Sequence, residues 1–157
     1  MNYSASMDRD GNRQVLPTPL PFKLAKTLTF DGNTENGIGD IDGTNNPASL
    51  FTITGDVLVY LFGICKTNIA GAGTLEVGVA DNTAILLAQI ADATDLDKDK
   101  NWLDATPGKG EGQAPVFHPM SAGTIILTAG GTDITGGVID FYLFWRPLSS
   151  DGLVEAA

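Results

Sequence analysis

The chain has 157 residues, 19 acidic against 9 basic, and a formal net charge of −10. That length suits one domain with room for a sizeable core, and a 43% hydrophobic composition is too rich for a disordered chain. Such a charge repels phosphate, which argues against direct nucleic-acid binding, and no apolar run approaches the roughly 20 residues of a membrane span.

Residues 1–22 read as an extended N-terminal arm. Met1 to Arg13 is polar, with no apolar core of a secretory signal, so a reducing cytoplasm or release by lysis is expected. Pro17, Pro19 and Pro21 follow, and alternate prolines hold a backbone extended and hinder regular pairing. Residues 23–157 read as the folded body.

Lys23 to Phe30 forms a first strand. Asp31-Gly32, Asn36-Gly37 and Asp42-Gly43 are successive turn signals, because both residue types tolerate positive φ. Leu50 to Thr54 leads into Val57 to Cys65, which is apolar on both faces: Val57, Val59, Leu61, Gly63 and Cys65 against Leu58, Tyr60, Phe62 and Ile64. A helix is the competing reading of that run, but its β-branched and aromatic residues favour a strand. Cys65 is the single cysteine, which excludes an intramolecular disulfide and fits a buried, inert thiol.

Thr67 to Gly73 reads as a turn, and Thr74 to Ala80 as a half-buried strand. Thr83 to Ile90 reads as the next strand, with a short helix as the alternative. A charged loop, Ala91 to Lys100, precedes a short strand at Asn101 to Ala105 anchored by Trp102. Thr106 to Pro115 is a Gly- and Pro-rich loop. Val116 to Pro119, Thr124 to Ala129 and Val138 to Trp145 complete the body. In the last run Ile139, Phe141, Leu143 and Trp145 form a core face, and Val138, Asp140, Tyr142, Phe144 and Arg146 a mixed outer one. About eight or nine short strands at this spacing predict an all-β, jelly-roll-like antiparallel β-sandwich.

No catalytic or metal motif survives inspection. Asp95-x-Asp97-x-Asp99 has the alternating carboxylates of a calcium loop, but Lys100 and Thr106 stand where Gly and Glu are needed. Asp8, Asp10 and Asn12 fail the same test at Arg13 and Pro19. His118 is the only histidine, and no G-x-S-x-G accompanies the nearby Ser121. Gly108-Lys109-Gly110 lacks the spacing of a phosphate loop, and nothing brings Glu76 and Asp140 together as a glycosidase pair. No enzyme activity, cofactor or metal is therefore expected. A strand that is apolar on both sides needs covering twice, so Tyr60, Phe62, Tyr142 and Phe144 are expected to line a subunit interface. The alternative is a cover supplied within the chain by 91–115.

Four stretches carry a resemblance: DFYLFWRPLSSDGLV at 140–154, ITGDVLV at 53–59, LDATP at 103–107 and DRDGNR at 8–13. Together they resemble small virion structural proteins of tailed bacteriophages and prophages, most of all capsid decoration (cement) proteins. The resemblance implies a β-sandwich homotrimer on the outer capsid surface, clamping the major capsid protein. It also implies an arm, with Asp8, Arg9, Asn12 and Arg13, that contacts the shell. Tail- or fibre-associated proteins of similar size are the alternative location. A carbohydrate- or receptor-binding module is the alternative class, with Trp102 as its loop aromatic.

Overall fold

The computed structural model describes residues 3–7, 13–17, 21–110 and 115–157, the first two segments as backbone only. The described body is an all-β sandwich of two antiparallel sheets. The elements are β1 (Tyr3–Met7), β2 (Arg13–Pro17), β3 (Phe22–Thr29), β4 (Ala48–Thr54), β5 (Val57–Ala70), β6 (Thr74–Val79) and β7 (Asn82–Ile90). After a 3-10 turn at Ala93–Asp95 come β8 (Asn101–Trp102), β9 (His118–Met120), β10 (Gly123–Gly130), β11 (Gly136–Pro147) and β12 (Leu153–Ala156).

One sheet runs β3-β11-β5, with β8 and β9 both on the far side of β5; the other runs β12-β4-β10-β6-β7. Early and late strands are nested. β3 lies beside β11 and β4 beside β10, and within the sandwich, apart from the β6–β7 hairpin, each chain connection crosses between sheets or runs along one strand's edge. β12 adds an extra edge strand to the second sheet.

The core lies between the sheets and follows the alternation. Val57, Val59, Leu61 and Cys65 of β5 and Ile139, Phe141 and Leu143 of β11 meet Leu75 and Val77 of β6 and Ile125 and Leu127 of β10. Burying one such side chain stabilises by roughly 1.5–3 kcal/mol, which makes this face the main source of stability. In β4 the pairing shifts register opposite Ile125 and Ile126, and the extra residue lets both Leu50 and Phe51 turn inward. Gly137 opens β11 at φ 118, where a Cβ would lie 2.5 Å from Ile69 Cδ1. Only glycine fits that bend.

The structure differs from the sequence reading at several points. β5 continues to Ala70, through Thr67 to Ala70 that read as the start of a turn, because β11 stays paired with it as far as Gly136↔Ala70. β12 has no counterpart among the predicted strands, since only Val154 of its residues is buried. The N-terminal region contains a paired hairpin, Tyr3↔Pro17 to Met7↔Arg13, in place of the expected unpaired extension. Pro17 is itself paired, with Tyr3.

Candidate functional site: an aromatic outer face

The outer face of the β3-β11-β5 sheet is set by register. Tyr142 pairs with Phe62 and Phe144 with Tyr60, which places all four predicted interface aromatics side by side. The Phe62 and Tyr142 rings are stacked at 5.4 Å, and Phe62 and Phe144 at 6.2 Å. Tyr60 lies 5.8 Å from Phe62, 6.4 Å from Phe144 and 5.7 Å from Phe117, just before β9. Sequence reasoning did not single out Phe117. Its place next to Tyr60 depends on β9 pairing with the first residues of β5, which no local pattern announces.

These side chains are half-buried, and Phe117 and the neighbouring Val116 are exposed at 39% and 61%. Partial burial raises the Tyr60 phenol above its ordinary value, because desolvation disfavours the phenolate. The hydroxyl is therefore neutral throughout the physiological range. Charge is confined to the ends of the face. Asp140 lies at one end, accepting a 2.6 Å hydrogen bond from the Thr27 hydroxyl, with Lys66 the next outward position of β5 beyond Ile64 at that end; Lys23 beside Phe144, and Arg146 two residues further on, lie at the other.

The charged loop, part of the segment weighed as an internal cover, is held by β5. Its backbone extends the edge of β5: Cys65 N–H donates to the Lys100 carbonyl, Asp99 N–H to the Cys65 carbonyl and Ile69 N–H to the Leu96 carbonyl. Leu96 and Trp102 turn into the core. Trp102 is 0% exposed, sits 6.2 Å from Phe141, and its indole N–H donates to the Ala88 carbonyl. That corrects the reading of Trp102 as a loop aromatic open to a glycan: a buried indole offers no stacking surface.

The other candidates separate. Glu76, on β6, accepts from Gln89 on the outer face of the second sheet, so it and Asp140 lie on opposite sides of the sandwich. Ser121 donates to Asp56 at 2.7 Å, while His118 is paired through its backbone with Val59. The turn-forming acids hold backbone. Asp31 accepts from Ile38 N–H, Asp40 from Asn36 N–H, Asp133 from Ile41 N–H and Asp92 from Thr94 N–H. Asp97 pairs with Lys100 at 3.0 Å. Among the described residues no group of three or more His, Cys, Asp or Glu side chains is placed to hold a metal ion, and no helix is long and apolar enough to cross a membrane. Asp8, Arg9 and Asn12 lie outside the described residues; Arg13 begins β2, where the description is of backbone alone.

No protein-family model matches the chain, and no curated protein or solved structure does.

Proposed function

We propose that the chain is a non-enzymatic virion structural protein of the capsid-decoration kind, which self-associates, binds the major capsid protein on the outer surface of the shell and stabilises it. The observation that carries the self-association is the aromatic outer face: Tyr60, Phe62, Tyr142 and Phe144 form one contiguous patch on a sheet whose other side already holds the core. A patch of that kind is the ordinary mark of a protein contact surface. The resemblance supplies the virion and the capsid, and implies three copies. A symmetric oligomer attaches through several weak contacts at once, which raises avidity without any single strong one. A ligand that binds only the assembled shell stabilises it by mass action.

The test is co-sedimentation of the purified protein with undecorated shells of a tailed phage carrying this chain. Saturable binding that raises the temperature of shell disruption is the expected result. Absence of binding at micromolar protein removes the capsid reading and leaves a tail or fibre location to be tested in the same way.

A further inference from the structure

We infer that the aromatic face packs against the same face of a second copy about a two-fold axis, with the strands of the two copies antiparallel and Asp140 of each meeting Arg146 and Lys23 of the other. This rests on the self-association proposed above and replaces the threefold arrangement implied by the resemblance.

The order of residues along the face points to that geometry. On β11 the outward positions are Asp140, Tyr142, Phe144 and Arg146; beside the aromatics lie Phe62 and Tyr60 on β5, and Lys23 lies next to Phe144 on β3. Along β11, anion, apolar centre and cation thus follow one another over roughly 20 Å, at about 3.3 Å per residue, while Lys66 of β5 lies beyond Asp140, outside this span. Across the strands the face carries no such polarity.

A two-fold axis lying between two such faces, perpendicular to the strands and level with Leu143, reverses the strand direction. It sets Asp140 over Arg146, with Lys23 one strand and two residues away on the diagonal, at both ends of the contact. It also sets Tyr142 over Phe144 and Tyr60 over Phe62, so each tyrosine ring meets a phenylalanine ring and no like charges meet. A threefold axis along the strands does the opposite. It keeps the strand direction, gathers the three Asp140 carboxylates at one level and the three Arg146 guanidinium groups at another, and opposes like charges.

The size is adequate. From Val138 to Arg146 the face is about 26 Å long, and its strands, about 4.8 Å apart, make it roughly 15–20 Å wide. The projected area is about 400–500 Å², and the relief of large side chains brings the accessible area towards the ~800 Å² per partner of a stable interface.

The experiment combines native mass with charge reversal. Light scattering behind a sizing column is expected to give twice the chain mass for the native protein. Asp140→Lys leaves the three contact positions cationic, and the double variant Lys23→Glu/Arg146→Glu leaves them anionic. Each alone is expected to run at the single-chain mass with an unchanged circular dichroism spectrum, and a one-to-one mixture to regain the doubled mass. Lys23 and Arg146 are exposed, so their reversal tests the contact even if Asp140→Lys does not fold. A native trimer overturns the two-fold while leaving self-association intact. A native monomer overturns both, and shell binding is then judged by co-sedimentation alone. Doubled mass retained by the double variant also overturns the proposed contact.

Discussion

Cys65 shows how one side chain can be tied to the whole fold without being reactive. Its thiol is fully buried and lies 3.1 Å from both the Thr67 and the Leu96 carbonyls. Burial raises its pKa above the ordinary thiol value; nearby Asp97 and Asp99 push the same way, against hydrogen bonds with the backbone of Thr67 and Ile69. A group whose pKa is raised by folding contributes stability that is complete below its unfolded value and is lost as pH rises through the folded one. The melting temperature is therefore expected to hold from neutral pH to about 8.5 and to fall above it. Cys65→Ala should lower the melting temperature at neutral pH, through the small cavity it leaves, but flatten the decline above about pH 8.5. Equal slopes for the two proteins would assign the alkaline loss to other groups. Tyr60, raised in the same direction, adds its own loss at higher pH.

At the scale of elements, β11 carries two opposite environments one residue apart. Phe141 is fully buried between the sheets, while Tyr142 faces outward in the aromatic patch. Phe141→Asp places an unpaired carboxylate in the core and is expected to cost more than about 4 kcal/mol, enough to unfold a domain of ordinary stability. Tyr142→Asp or Phe62→Asp should leave the monomer within about 1–2 kcal/mol of its parent but abolish self-association. Circular dichroism and native mass, measured on the same samples, separate these outcomes. A Tyr142→Asp protein that keeps both its fold and its doubled mass would remove the outer face as the contact. That face is legible in the sequence because β5 and β11 alternate cleanly over most of their length. The edges are not. Thr67 and Asn68 look like a turn, and pairing with β11 keeps them in a strand. Trp102 sits in a polar stretch with no period, and it reaches the core because β8 pairs with Gly63 and Ile64, far away in sequence. Phe117 joins the patch for the same kind of reason.

At the scale of the molecule, the two ends of the sandwich differ in charge and in what they carry. The turns rich in aspartate, with Asp31, Asp40 and Asp42 in one and Asp92 to Asp99 in the other, lie where β3 and β5 end and β11 begins. The N-terminal segment enters at the opposite end, where Phe22, 56% exposed, lies 4.7 Å from Trp145. The hairpin of β1 and β2 forms its own two-stranded sheet, and the core cluster begins at Leu28. A lone two-stranded hairpin is marginal in water, so the body gains little stability from it. Deleting residues 1–20 is therefore expected to leave a cooperative melting transition within a few degrees of the parent, about 1 kcal/mol or less. The same deletion should weaken co-sedimentation with shells at least roughly tenfold, because every copy in a multivalent oligomer gives up its own arm and the losses multiply. Loss of the cooperative transition would make the hairpin part of the fold rather than an arm. A truncated protein that binds shells as tightly as the parent would move the attachment to the body, and the acidic end, opposite the point where the segment enters, would be the next surface to alter.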